Sequence, residues 1–165
     1  HDLTEILNGQ EIMSPSPFLP HQALLSELYD RFKSFARKHA SGNVFFAPLD
    51  VIFEEGQNRL QPDLLYIKAE NKSIIQDWIR GVPDLVLEIA SPSSVEQDLN
   101  KKYLIYQHYG VPEYWVVLPE YRKITVYALE EKQYQIHSQI LEKGQAESKV
   151  LPGFAVDLEE VFDRR

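Results

Sequence analysis

Residues 85–89 read Leu-Val-Leu-Glu-Ile, an apolar run broken by a single carboxylate. A stretch apolar on both faces suits a strand in the middle of a sheet, covered above and below. Glu88 is then the difficulty. Under two-residue alternation it shares a face with Val86 and Ala90, and a carboxylate taken out of water is paired or bound to a metal. The plain alternative is an edge strand with Glu88 turned to solvent.

The rest of the chain supplies the layers that such a strand requires. Thr4 to Leu7, Asn8-Gly9 and Gln10 to Met13 form a hairpin pattern, because Asn-Gly accepts the positive φ angles of a two-residue turn. Pro15, Pro17 and Pro20 precede a predicted helix from His21 to His39, where Leu24, Leu25, Leu28, Phe32 and Phe35 recur at helical spacing. Strands are expected at Val44 to Ala47, Val51 to Glu54, Leu64 to Ile67 and Leu85 to Ala90. A second helix is expected over Ser94 to Tyr109, with N-cap chemistry at Ser91-Pro92 and Ser93-x-x-Glu96 and a left-handed C-cap at Gly110. Glu113 to Leu118 and Lys123 to Leu129 read as a second hairpin, followed by a weaker strand near Tyr134 to Ile140 and a short helix at Leu158 to Phe162. The expectation is a single mixed α/β domain: one mixed sheet flanked by helices, with an N-terminal hairpin and C-terminal strands. At 165 residues, with 44% hydrophobic side chains, the chain can bury a full core without staples.

Pro-Asp occurs at two strand mouths, in QPDLLYI and in GVPDLVLEI, and each also fits an ordinary turn. Geometry separates the two aspartates. Asp84 and Glu88 share a face but stand about 13 Å apart at ~3.3 Å per residue, too far to share an ion. If the Leu64 strand runs antiparallel beside the Leu85 strand, Asp63 falls next to Glu88 across a ~4.8 Å strand spacing. Two carboxylates so placed suit a hard cation such as Mg²⁺, with the Ile89 carbonyl and water completing the shell. A phosphodiester substrate would also need a cation for the charge developing at phosphorus. Lys101 and Lys102, on the helix that follows, are the nearest. Asp98 and Lys102 face the same way at i, i+4, which is equally the spacing of a surface ion pair. His21 opens the first helix as a shell, phosphate or capping residue. Tyr103, Tyr106, Tyr109, Tyr114 and Trp115 fall in core patterns.

These segments resemble a known family. PDLLYI, GVPDLVLEIASPSS and Asp98-x-x-x-Lys102-x-x-x-Tyr106-x-x-x-Gly110-Val111-x-Glu113-Tyr114-Trp115 are similar to the bacterial putative restriction endonuclease family of the PD-(D/E)xK nuclease superfamily. The similarity runs from the NGQEIMSP hairpin and His21 to LPGFAVDL. It implies a restriction endonuclease-like αβββαβ core and Mg²⁺-dependent hydrolysis of DNA, with Mn²⁺ as a substitute. Asp63 would be the first acidic ligand and Glu88 the second. The superfamily usually carries its lysine two residues after the second acid, where this chain has Ala90. The resemblance implies that the lysine has moved to the following helix, where Lys102 fits and Lys101 competes. Asp98 would orient Lys102 or hold a water, and His21 and Asp84 would stand further out. Cutting both strands would pair two subunits as a homodimer. The rival expectation, motivated by Ala90 and the acidic charge, is a catalytically inactive nuclease-fold module that binds nucleic acid or protein; a phosphoesterase for small nucleotides is a third.

Composition narrows the chemistry. Without cysteine there is no disulfide, thiolate zinc site, iron–sulfur centre or thiol nucleophile, so any metal sits on oxygen or imidazole. No apolar run approaches a membrane span and HDLTEILNGQ lacks the parts of a signal peptide, so a cytoplasmic protein without membrane contact is expected. A formal charge of −8 makes metal-free DNA affinity weak. Binding should then depend on Mg²⁺ and on a local basic face, with Arg31 to Lys38, Lys101 and Lys102 as its candidates.

Overall fold

Asn8 and Gly9 take φ of 51° and 80°, as a two-residue hairpin turn requires. They join β1 (Thr4–Leu7) to β2 (Gln10–Met13) with Leu7 opposite Gln10. The computed structural model describes residues 3–13, 18–91 and 99–162.

Helix α1 (Leu19–Lys38) starts two residues ahead of the expected position, with Pro20 in its first turn, where a missing N–H costs nothing. It buries Leu24, Leu25, Leu28, Phe32 and Ala36. Phe35, expected in that stripe, lies at its margin against His39 and Phe154. Strands β3 (Gly42–Phe46), β4 (Val51–Glu54), β5 (Asn58–Leu60), β6 (Leu64–Lys68), β7 (Ile79–Arg80) and β8 (Leu85–Ile89) follow. Helix α2 (Asn100–Tyr109) ends at Gly110, whose φ of 78° makes the expected left-handed cap. The expected start of this helix at Ser94 and, of its expected N-cap residues, Pro92, Ser93 and Glu96 lie outside the described residues, as do Pro15 and Pro17. Then come β9 (Glu113–Leu118), β10 (Lys123–Glu130), β11 (Gln133–Leu141), β12 (Gln145–Glu147), β13 (Ala155–Asp157) and α3 (Leu158–Phe162).

Six strands make the main sheet in the order β11-β10-β9-β8-β6-β3. It is mixed: β8 runs parallel to β9 and antiparallel to β6. The αβββαβ succession is present as α1, β3, β6, β8, α2 and β9. The strand over Val51–Glu54 is not in this sheet, contrary to the expectation of one mixed sheet. It joins the hairpin and two short strands in a second sheet, ordered β2-β1-β5-β4-β7. Strands β5 and β7, of three and two residues, are too short to leave a periodic signal.

Every residue of β8 is buried, because both faces of the main sheet are covered. On one side α1 packs Leu28 and Phe32 against Leu64, Leu85, Leu87 and Trp115. On the other, α2 and the small sheet pack Leu7, Val51, Leu60 and Tyr106 against Leu65, Val86 and Tyr114. Gly42 lets β3 close on β6, since a Cβ there would fall 2.1 Å from the Ile67 carbonyl oxygen.

A second buried carboxylate lies on β9. Glu113 is wholly enclosed, and it accepts hydrogen bonds from Trp115 Nε1 at 2.8 Å, Ser148 Oγ at 2.6 Å and the backbone N–H groups of Lys149 and Val150 at 2.7 and 2.9 Å. It fastens the 148–150 segment to the sheet.

Candidate active site

The pairing of β6 with β8 places Leu64 opposite Leu87, so one step further along the register Asp63 stands opposite Glu88, as the sequence predicts. Asp63 Oδ2 accepts the Ile89 N–H at 2.7 Å and lies 3.5 Å from His21 Nε2. His21 reaches it from the first turn of α1. Glu88 is 5% exposed, so the solvent-facing alternative for this residue is excluded. Its Oε2 accepts the Tyr106 hydroxyl at 2.8 Å and lies 3.2 Å from Lys102 Nζ.

Of the two lysines, Lys102 is the one that the structure brings to the carboxylates. Its ammonium lies 3.2 Å from both Glu88 Oε2 and Glu5 Oε1, whereas Lys101 is exposed. Asp84 is apart from this group: at the far ends of β6 and β8 it accepts the Lys68 N–H at 2.8 Å and the Asn71 amide at 3.2 Å, a loop-fastening arrangement. Asp98 lies outside the described residues.

Two members of the site were not anticipated. Glu5, on β1, is 3% exposed and accepts the Gln61 N–H at 2.7 Å through its second oxygen. A carboxylate between Thr4 and Ile6 in a strand is the same signal that singled out Glu88. Tyr106 lies one turn beyond Lys102 on α2, so i, i+4 spacing puts both on Glu88.

Two carboxylates touch one ammonium and a third, Asp63, acts on it through its charge. Burial first, and then the Asp63 and Glu5 charges, push the Glu88 carboxyl up to about 7, against the pull of Lys102 and the Tyr106 hydrogen bond. Burial works against the Lys102 ammonium, but Glu88, Glu5 and Asp63 together hold its pKa above the usual lysine value. His21 is raised by its bond to Asp63, which outweighs its partial burial. With Glu88 ionised and His21 neutral, the group carries an excess of two negative charges.

The donor set fits a hard divalent cation. Among the described residues, both hydrogen-bonding contacts of Asp63 go to Oδ2 and both of Glu88 go to Oε2, so each carboxylate keeps one oxygen without a protein partner. The described residues contain no set of three His, Cys, Asp or Glu placed to hold a metal unaided. A site of two carboxylates completed by substrate and water is the usual one for Mg²⁺.

The expected basic face is reduced. Lys102 is committed inside the site, and Arg31 is held by Glu27 at 3.0 Å and Glu160 at 2.8 Å; Arg37, Lys38 and Lys101 are exposed. Among the described residues no helix is long and apolar enough to cross a membrane.

A family model described as Uma2, putative restriction endonuclease, matches residues 2–159. No curated protein matches the chain. The crystal structure of a putative nuclease belonging to DUF820, from Anabaena variabilis ATCC 29413, is similar with a TM-score of 0.80 at 18% sequence identity, over 97% of this chain and 89% of that one.

Proposed function

The chain belongs to the Uma2 family of putative restriction endonucleases, and from that membership we propose that it is a metal-dependent DNA endonuclease with a PD-(D/E)xK-type site whose lysine sits on the following helix. Asp63 Oδ1 and Glu88 Oε1 would hold Mg²⁺, or Mn²⁺ in its place. When bound, the cation supplies Lewis-acid polarisation of the phosphate and lowers the pKa of water. Asp63 is kept in orientation by the Ile89 N–H, and Glu88 by Tyr106. Lys102 offers its ammonium to the negative charge that builds on the phosphate oxygens, or to the oxygen attacking phosphorus. His21, on Asp63, closes the opposite side.

The observation that carries this reading is the pair of opposed carboxylates, each with one oxygen anchored by the protein and the other unmet by any of the described residues. Purified protein with Mg²⁺ or Mn²⁺ should cut plasmid DNA, and Glu88→Gln, Asp63→Asn and Lys102→Ala should each lower the rate at least 100-fold, an effect of about 3 kcal/mol on the barrier. Intact plasmid, linear and single-stranded DNA under all such conditions would sink the proposal. One observation favours a non-catalytic binding module instead: Lys102 already lies between two carboxylates, with its side chain 13% exposed. Calorimetric titration with Mg²⁺ separates the readings, because a cation site loses its heat on Asp63→Ala and a module shows none.

A further inference from the structure

We propose that Glu5, on the N-terminal hairpin, is the positioning residue that holds Lys102 in place while Glu88 is engaged with a cation. This rests on the reading above, in which Glu88 binds the metal and Lys102 faces the phosphate. The need for such a residue comes from the missing in-strand lysine. A lysine at position 90 would share the strand of Glu88 and inherit its rigidity, but Ala90 stands there. Lys102 comes instead from a helix, on a flexible four-carbon stem with several rotamers open to it. Its contact with Glu88 would hold it less firmly during the reaction, because a divalent ion on the other Glu88 oxygen would share the charge that attracts the ammonium. Among the described residues, Glu5 is the other carboxylate against Lys102, at the same 3.2 Å.

Glu5 is itself fixed from the connection that leads into β6. Its Oε2 accepts the N–H of Gln61 at 2.7 Å, leaving Oε1 for Lys102. Gln61 precedes Asp63 by two residues, so one short segment sets the first acidic ligand and the anchor of the lysine together. The circuit runs Asp63, Gln61 N–H, Glu5, Lys102, Glu88, and closes where β6 meets β8. The hairpin thus forms one wall of the site, and Glu5 acts through Lys102 without touching the substrate.

Two measurements test this. The first is the rate at which a slow amine-acylating reagent labels Lys102 in the intact protein, read by mass spectrometry with and without Mg²⁺. Native protein should label slowly in both states. Glu5→Gln, which keeps the shape and removes the charge, should label on the order of tenfold faster once Mg²⁺ is added, as should Glu5→Asp to a smaller degree, since the shorter carboxylate keeps the charge but loses reach. The second is plasmid cleavage: Glu5→Gln should lower kcat about 10- to 100-fold with KM for DNA unchanged, and should add nothing further in a Lys102→Met background. Lys102 labelling that is the same in native protein and both Glu5 variants overturns the inference. So does a Glu5→Gln loss of equal size with and without Lys102. If Glu5→Gln fails to fold, Glu5→Asp carries both measurements. Native protein that cuts no DNA overturns the nuclease reading, while labelling still decides whether Glu5 holds Lys102.

Discussion

Glu88 makes the site electrostatically expensive, and pH exposes that cost. Its carboxyl is pushed up to about 7 by burial beside Asp63 and Glu5, so the folded chain holds a proton there that the unfolded chain releases near 4.5. Between those values the folded state binds more protons, and its stability falls as pH rises. His21 acts in the same direction: its pKa is raised by Asp63, so its contribution is full below 6.5 and is lost as pH climbs through the folded value. Metal-free protein should therefore melt at progressively lower temperature from pH 5 to pH 8, and Glu88→Gln should flatten most of that slope. Mg²⁺ should restore more stability at pH 8 than at pH 5; thermal melts of both proteins across this range check all three statements. Tyr106→Phe removes a hydrogen bond that favours the charged carboxylate and should steepen the fall. At this scale the sequence made Asp63 and Glu88 legible because strand periodicity and antiparallel register are arithmetic. Glu5 carries the same strand signal as Glu88, but its place in the site depends on Gln61, 56 residues away, across a sheet pairing that no local pattern encodes.

At the scale of elements, most of the main sheet follows from the sequence pattern, and the second sheet does not. The hairpin, α1, β6, β8, β9, β10 and α3 have either sustained periodicity or turn residues that mark their ends. The strand over Val51–Glu54 has the same apolar content as its neighbours, and only its pairing with β5 and β7 assigns it to the small sheet. Glu113 was legible only as one letter of a motif, yet it is the main polar fastening of the C-terminal segment. Glu113→Ala would strand the Trp115 indole and the Ser148 hydroxyl in the interior and leave two part-buried backbone N–H groups without their acceptor. At about 1–3 kcal/mol for each buried group left unpaired, partly relieved by local rearrangement, the loss should be about 3–5 kcal/mol. Urea denaturation should show this as a lower midpoint, with cleavage of DNA by the surviving folded fraction unchanged.

For the whole molecule the formal charge of −8 sets how the proposed DNA substrate would be met. Part of the limited cationic surface is spent internally, on Lys102 in the site and Arg31 on α1. Metal-free protein should bind duplex DNA no tighter than on the order of 100 µM at physiological salt, and Mg²⁺ should tighten it by occupying the acidic site. Fluorescence anisotropy with and without the cation checks this, using Ca²⁺ to block turnover. Pairing of two copies, one site for each strand, is tested by light scattering in solution. The Glu113 fastening also sets a timetable. A ribosome adding 5–20 residues per second delivers Ser148 about 2–7 s after Glu113, which precedes it by 35 residues. Throughout that interval the carboxylate at the start of β9 lacks three of its four donors, and burying it would carry the full desolvation penalty. Closure of the sheet around the start of β9 therefore waits for residues 148–150, which are made after every residue of the candidate site.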